Sequence, residues 1–262
     1  MRGEISMRVL EMVLFGIVAI LLLTGPVSAA DITHVKMGTE GAYPPFNSID
    51  ENGKLVGFDI DIGNALCDAM HVTCEWVTSD WEGIIPALLA KKIDTIVASM
   101  SITDERKQKI AFTDKYYISP VRFIRRTGTD ATPNEIGDAV VAVQTSTAAE
   151  RLLRGRFPNA QIKTYADQEQ ASLDLTAGRV DLVAADAFVL LDFLNSEAGK
   201  DVEFVGPSYT DPRYLGEGVG IAVRKEDGQL LKMLNGAIKQ IRQDGTYQRI
   251  NAKYFDFDVY GG

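Results

Sequence analysis

Two hydroxyls and a guanidinium lie close together in the sequence, just after a short apolar run at residues 95–97. The hydroxyls belong to Ser99 and Ser101, and the guanidinium belongs to Arg106. Thr103 is a residue type preferred just before a helix, so the pattern predicts a strand, a turn and a short helix. Arginine binds carboxylates bidentately and hydroxyls fill the remaining lone pairs, so this set suits a small carboxylate. An ordinary capped turn with a solvated arginine is the alternative.

Further residues with matching chemistry lie in other segments. Thr147 opens a predicted helix whose free N–H groups suit an anion, and Asp186 suits an ammonium, so with the guanidinium they describe an α-amino acid. Glu40 adds a negative charge that could meet a cationic side chain. Tyr43 and Trp81 could stack on the stem or on a guanidinium plane of that side chain. The alternatives are a solvated loop acid, core or loop-packing aromatics, and a plain helix cap at Asp186.

Predicted strands and helices alternate along the chain, which favours an α/β fold with largely parallel sheets. Residues 58–70 carry apolar side chains at helical spacing, and residues 229–243 predict a long amphipathic helix. Asp80 is expected to cap the helix that begins at Trp81. Thr147 and Glu150 form a capping-box pattern at the start of another helix.

One segment of the sequence occurs twice. Leu88–Ser99 aligns without gaps on Leu175–Asp186, and both copies run from a helix end through a basic turn into a strand. We interpret this as the same βα unit in two lobes, with chance similarity as the alternative. Ser99 and Asp186 would then lie at the carboxyl ends of equivalent strands, where open α/β sheets bind ligands.

Composition excludes several classes of function. The chain has 262 residues, of which 46% are hydrophobic and 24% charged, and this suits two modest globular domains. With a formal net charge of -9 and no basic patch, neither nucleic acid nor an anionic membrane is expected as a partner. No metal motif, phosphate-binding loop or nucleophile triad is found, so we expect no metal and no cofactor.

Residues 1–30 have the pattern of a cleaved secretory signal peptide. Arg2 and Arg8 precede an apolar run at residues 13–23, and small residues precede Asp31, the expected first residue of the mature protein. An uncleaved anchor is the alternative, but the apolar run is too short to span a bilayer. The mature protein is therefore expected in the periplasm.

The two cysteines, Cys67 and Cys74, are expected to form a disulfide in an exported protein. Metal binding is the competing interpretation. It is disfavoured because His34 and His71 make no ligand motif with the cysteines.

Several motifs together resemble the periplasmic amino-acid-binding proteins of ABC importers, the family 3 solute-binding proteins. The similarity is strongest to the branch that binds lysine, arginine, ornithine and histidine, and it covers nearly the whole mature chain. Besides the cysteine spacing, the motifs that carry it are Gly57–Asp61, Leu89–Asp94, Ser101–Arg106, Asp174–Arg179 and Asp244–Gly261.

The resemblance implies a type II periplasmic binding protein fold, in which two α/β lobes joined by a two-stranded hinge close on a ligand. Lobe I is expected at residues 31–117 and 218–262, and lobe II at residues 122–210. The hinge is expected at residues 118–121 and 211–217.

The resemblance also implies roles for individual residues. The positions expected to hold the α-carboxylate of the ligand are Arg106, Ser99, Ser101 and Ser146 or Thr147. Asp186, helped by Ser99, is expected to hold the α-amino group. Glu40 would bind the cationic side chain, and Tyr43 and Trp81 would stack on it. Ala98 and Val143 are expected to line the pocket, and Gln144 is expected nearby.

Three departures from the branch bear on specificity. Glu40 stands where the branch has the shorter aspartate, Ala98 where it commonly has serine, and Ala148 where it commonly has glutamine. Room is gained and two polar contacts are lost beside the side-chain end of the ligand. The retained Asp186 favours a free amino acid over an opine, whose amine is substituted.

The expected function is therefore capture of a cationic L-amino acid, without chemistry, for delivery to an inner-membrane ABC permease, by a protein expected to be a monomer. One alternative is a binder of an opine or a neutral polar amino acid. A second is a dehydratase-type enzyme on the same scaffold, which would need a positioned acid or base. A third, a sensor ectodomain, would need a second transmembrane segment or a signalling domain, and we expect neither.

Overall fold

The computed structural model describes residues 31–261, so the predicted signal peptide lies outside the described residues. The strands in this part of the chain are β1 (His34–Thr39), β2 (Ala42–Tyr43), β3 (Asn47–Ile49), β4 (Leu55–Val56), β5 (Thr73–Thr78), β6 (Thr95–Ile96), β7 (Ala111–Tyr117), β8 (Val121–Arg126), β9 (Val140–Gln144), β10 (Gln161–Tyr165), β11 (Leu182–Asp186), β12 (Val202–Tyr209) and β13 (Val219–Val223). The α-helices are α1 (Phe58–Met70), α2 (Trp81–Leu89), α3 (Asp104–Lys107), α4 (Ala148–Arg156), α5 (Gln168–Thr176), α6 (Ala187–Asn195), α7 (Pro212–Leu215), α8 (Gly228–Gln243) and α9 (Thr246–Tyr254).

The strands form two five-stranded sheets of the same topology, which define lobe I and lobe II. The order is β5-β1-β6-β13-β7 in lobe I and β10-β9-β11-β8-β12 in lobe II. In both sheets the first three strands are parallel, and the fourth is antiparallel to its neighbours. A small antiparallel sheet, β2-β3-β4, is added beside lobe I. The predicted two-lobed α/β architecture is confirmed.

Two connections link the sheets. The chain leaves lobe I after β7 and enters lobe II at β8, and it returns between β12 and β13. Val121, which the sequence places in the hinge, already pairs with Asp186 in the sheet of lobe II. The predicted hinge stretches, residues 118–121 and 211–217, overlap these connections, and their hinge role stays a prediction.

Amphipathic helices cover the sheets and close the cores. Helix α1 has the predicted bounds, and Phe58, Ile62 and Leu66 on its apolar face are fully buried. Its end is joined to β5 by the predicted disulfide between Cys67 and Cys74. Within residues 31–261, no helix combines the length and apolar character that crossing a bilayer requires.

The helix caps expected from the sequence are only partly formed. The Thr103 hydroxyl accepts the N–H of Arg106 at 3.3 Å, and the Thr147 hydroxyl accepts the N–H of Glu150 at 3.2 Å. Asp80 precedes α2 as predicted, but its side chain makes no capping hydrogen bond. The two threonines fix the starts of α3 and α4, the helices nearest the predicted anion-binding residues.

The predicted internal repeat is confirmed by the backbone of the two lobes. Just after α2 and α5 the chain turns through aligned residues with left-handed backbone, Lys91 at φ 60° and Gly178 at φ 73°. The strands that follow, β6 and β11, are the central strands of their sheets. Ser99 and Asp186 therefore follow or end equivalent strands in the two lobes.

Side-chain hydrogen bonds repeat as well. Asp94 Oδ2 accepts the N–H of Lys36, which lies in β1, at 3.0 Å. Asp181 Oδ2 accepts the N–H of Val140, at the start of β9, at 2.9 Å. In both lobes the aspartate of the turn thus ties the central strand to its parallel neighbour.

An arginine completes each turn. Arg224, which is 6% exposed, donates to the carbonyl oxygens of Leu88 and Ile93 at 3.0 and 2.6 Å. Arg126, at the end of β8, donates to the two equivalent carbonyl oxygens of lobe II at 2.9 and 3.2 Å. In each lobe the arginine therefore adds a donor to a carbonyl of the last helical turn and to a carbonyl that lies just before the central strand.

Replacing Arg224 by Met tests this arrangement. Arg224 Nη2 also lies 3.0 Å from Asp94 Oδ1, and Nε lies 2.6 Å from Asp227 Oδ2. The substitution therefore removes the cation from two carboxylates and one donor from each of the two carbonyls. We expect the free energy of unfolding to fall by about 3–5 kcal/mol, measured by urea denaturation. The control Arg213→Met removes an exposed arginine paired with Asp211 and should change it by less than about 1 kcal/mol. Equal effects would contradict the assigned role of Arg224.

Candidate functional site

The carboxyl ends of β6 and β11 open into a cavity of about 430 Å³ between the lobes. Residues of both lobes line it. Of the residues that the sequence assigns to the site, the following line this cavity: Glu40, Tyr43, Trp81, Ala98, Ser99, Ser101, Arg106, Thr147 and Asp186. Residues from distant parts of the chain are thus brought together around one cavity.

Two predicted residues lie elsewhere. Val143 does not line the cavity: it is fully buried in the apolar core of lobe II with Val141 and Leu152. Successive side chains of a strand point to opposite faces, so the next residue, Gln144, reaches the cavity instead. Ser146 is exposed, and its side of the loop borders a separate groove.

Ser99 is held in place by a buried carboxylate that the sequence did not single out. Ser99 has left-handed backbone at φ 52°, and Asp59 Oδ2 accepts both its N–H at 2.9 Å and its hydroxyl at 3.0 Å. The same carboxylate accepts from Asn47 Nδ2 at 2.9 Å and from the Tyr116 hydroxyl at 2.6 Å. Burial raises the pKa of Asp59, and the four donors act against that rise. The sequence feature that could have indicated this role is an acidic residue in the first turn of α1, beside the apolar face of the helix.

Arg106 presents a partly buried cation to the cavity. Its guanidinium donates to the carbonyl of Ser101 at 2.9 Å and, across the cleft, to the carbonyl of Ser146 at 2.9 Å. It also lies 5.3 Å from the centroid of the Trp81 ring. Burial lowers the pKa of Arg106 to about 10, so the side chain stays charged at neutral pH. An arginine has five donors, so further donors remain for an anionic ligand.

The loop at residues 144–147 meets lobe I at three points. Besides the arginine contact, Trp81 Nε1 donates to the carbonyl of Thr145 at 3.0 Å, and Gln144 Nε2 donates to Glu40 Oε1 at 2.7 Å. The Thr147 hydroxyl is already used, donating to the carbonyl of Gln144 at 2.8 Å and capping α4. Because these contacts join the two lobes, the structure represents the closed cavity.

Asp186 caps helix α6 and also lines the cavity. Its Oδ1 accepts the N–H of Phe188 at 3.0 Å at the start of α6, and the hydroxyl of Ser119 donates to the same oxygen. Burial raises the pKa of Asp186 to about 7, although these hydrogen bonds act against the rise. A cation in the cavity would restore the ionised form.

Glu40 is a second carboxyl group in the cavity whose pKa is raised. Burial raises its pKa to about 7; the Gln144 hydrogen bond acts against the rise, and the charges of Asp167 and Asp80 add to it. Tyr43 stands nearby, and burial together with both cavity carboxylates raises its pKa well above the usual range. The cavity lining therefore has one cation and three carboxyl groups. Glu217 pairs with Lys107, and the other two carboxyl groups favour a cationic ligand.

No metal explains this concentration of acids. Among the described residues, no three His, Cys, Asp or Glu side chains lie close enough together to hold a metal ion. The carboxyl groups of Glu40 and Asp186 face the cavity from different lobes and have separate hydrogen-bond partners.

Two α/β lobes around one charged cavity are the architecture of type II periplasmic binding proteins, and this is the class that the fold and the site define. The chain belongs to the bacterial extracellular solute-binding proteins, family 3, whose family model matches residues 35–257. The resemblance seen in the sequence motifs is thereby confirmed.

Relatives cover nearly the whole chain. The L-arginine-binding protein of Pseudomonas aeruginosa is 45% identical over 256 residues, which are 96% of this chain and 98% of the relative. The lysine/arginine/ornithine-binding periplasmic protein of Escherichia coli is 43% identical over 255 residues, 94% of this chain and 98% of the relative. Among solved structures, an ancestral arginine-binding protein bound to glutamine matches with a TM-score of 0.80 at 34% identity, covering 87% of this chain and 100% of that one.

Replacing Asp59 by Asn tests the buried network. The amide nitrogen would face groups that are themselves donors, so we expect the free energy of unfolding to fall by about 2–4 kcal/mol, measured by urea denaturation. The control is Asp61→Asn in the same turn of α1, where the carboxylate pairs with Lys253 at the surface. That change should be below about 1 kcal/mol, and a similar value for Asp59→Asn would exclude the network as a main support.

Replacing Glu40 by Gln should stabilise the ligand-free protein in a pH-dependent way. The carboxyl group has a pKa of about 7 when folded, against its ordinary value of 4.5, so its ionisation above that range opposes folding. We expect a gain of about 2–3 kcal/mol at about pH 8 that disappears below about pH 5, measured by urea denaturation. The control Glu82→Gln removes an exposed carboxylate of α2 and should have little effect at either pH. A gain that does not depend on pH would contradict the assignment.

Proposed function

We propose that this chain is the periplasmic binding component of an ABC importer for a cationic L-amino acid: arginine, lysine, ornithine or histidine. The observation that carries the proposal is the charge arrangement in the cavity. One guanidinium, that of Arg106, stands against the carboxyl groups of Glu40 and Asp186. The third carboxylate in the lining, that of Glu217, is balanced by Lys107 at 2.6 Å. When ionised, the site carries a net charge of about -1, which a cationic amino acid balances and a neutral one does not.

The chemistry suggests one orientation of the ligand. The α-carboxylate would lie at Arg106, with the first-turn N–H groups of α4 beside it. The α-ammonium would lie at Asp186 and Ser99, and the side-chain cation at Glu40. Tyr43 would cover the aliphatic stem. This pose uses both lobes, so the ligand would favour the closed form by binding it more tightly than the open one.

Transport would follow from closure. We propose that the connections between the lobes act as the hinge and that a permease in the inner membrane recognises the closed form. The names of the relatives, which bind arginine, or lysine, arginine and ornithine, support this ligand class. The proposed activity is capture without chemistry, because Glu40 and Asp186 would each have a cationic binding partner in the ligand.

Isothermal titration tests the proposal. The exported protein, unfolded and refolded to remove carried ligand, is titrated with L-arginine, L-lysine, L-ornithine, L-histidine, L-glutamine and octopine. We expect one-to-one binding of a cationic amino acid, weakened by about a hundredfold or more in Arg106→Ala, which leaves the ligand carboxylate unpaired. The control Arg154→Ala removes an exposed arginine that pairs with Glu150 and should leave the affinity unchanged.

The titrations with the other ligands show which results would contradict the proposal. Tighter binding of glutamine would contradict the role of Glu40, and tighter binding of octopine would contradict the role of Asp186. Absence of binding to all six ligands would overturn the proposed function and direct attention to an enzymatic role.

A further inference from the structure

Gln144 is a buried amide in the wall of the cavity. It ends β9, is 2% exposed, and directs its amide nitrogen toward two acceptors from different parts of the chain. Nε2 donates to Glu40 Oε1 at 2.7 Å and to the carbonyl oxygen of Ala166 at 3.1 Å. Both donor hydrogens of the amide therefore have partners.

The orientation of this amide is fixed by lobe II itself. A carbonyl oxygen can only accept, so the one at Ala166 requires the nitrogen of Gln144 to face it. A flipped amide would place an oxygen against two acceptors. Gln144 therefore offers Glu40 a donor whether or not a ligand is present.

We propose that Gln144 is a positioning residue that makes the site select ligands by side-chain charge: it holds one oxygen of Glu40 and leaves the other for the cationic group of the ligand. The inference rests on the proposed function, since it assigns the charge selectivity of that same site to a particular pair. Gln144 is neutral, so it stabilises the carboxylate without cancelling its charge. When Glu40 is ionised, its negative charge is therefore left for a cationic ligand to balance.

Selection takes place as the lobes meet. Glu40 belongs to the loop after β1 in lobe I and Gln144 to lobe II, so the bond between them forms across the cleft. Closure on a neutral ligand would bury the Glu40 carboxylate with a neutral donor alone, which is unfavourable. Closure on a cationic ligand gives each oxygen a partner.

The test compares L-arginine with L-citrulline, a neutral amino acid of nearly the same shape. Gln144→Met keeps the length of the side chain and removes its donors. We expect the ratio of arginine affinity to citrulline affinity to fall by about tenfold, the effect of one hydrogen bond to a charged group. The matched control is Gln168→Met, which replaces another buried glutamine of lobe II, bonded to Ser172. This control should leave the ratio unchanged.

A double-mutant cycle separates positioning from a general structural effect. In a Glu40→Gln background, Gln144→Met should change the affinity ratio by less than about twofold, because the charge on which Gln144 acts is absent. Equal weakening of both ligands in Gln144→Met, or the same change of ratio in both backgrounds, would overturn this inference while the proposed function stands. Failure of the unmodified protein to bind any cationic amino acid would overturn the proposed function and this inference together.

Discussion

The binding cavity depends on one buried carboxylate, that of Asp59 in α1. Its four donors include the backbone N–H and the hydroxyl of Ser99, whose left-handed conformation a non-glycine residue adopts only when its surroundings hold it there. The Asp59 network thereby fixes the end of the central strand of lobe I. Arg106 follows in the same segment, anchored by the Thr103 cap of α3. The Asp59 network thus positions Ser99, on which a ligand ammonium would bind, in the same segment as the Arg106 guanidinium that would bind its carboxylate.

The carboxyl groups that favour a cationic ligand also destabilise the ligand-free closed protein. Burying Glu40 and Asp186 raises the pKa of both carboxyl groups to about 7, which means that their ionised forms destabilise the ligand-free closed protein. A ligand with two cationic groups would remove this destabilisation. The electrostatic cost of the empty closed cavity and the preference for a cationic ligand then have the same origin. Arg106 is the one cation among the described residues that line the cavity.

Local sequence patterns predicted much of the architecture, because helical periodicity and the repeated βα unit act over short distances. Helix α1 has the bounds that its apolar spacing indicates, and the repeat extends to matched hydrogen bonds in the two turns. The errors come from tertiary contacts. Val143 and Gln144 are adjacent in a strand, and which of them faces the cavity depends on the helices packed against the sheet. No role of its own was predicted for Asp59 from the sequence, because the donors to its carboxylate come from three other segments of the chain.

The most direct test of the account is the position of a bound ligand. A crystal structure with L-arginine should place its carboxylate on Arg106, its α-ammonium on Asp186 and its guanidinium on the Glu40 oxygen that Gln144 leaves free. A ligand bound in the reverse direction, with its carboxylate near Asp186, or bound outside the cavity between the lobes, would contradict the account.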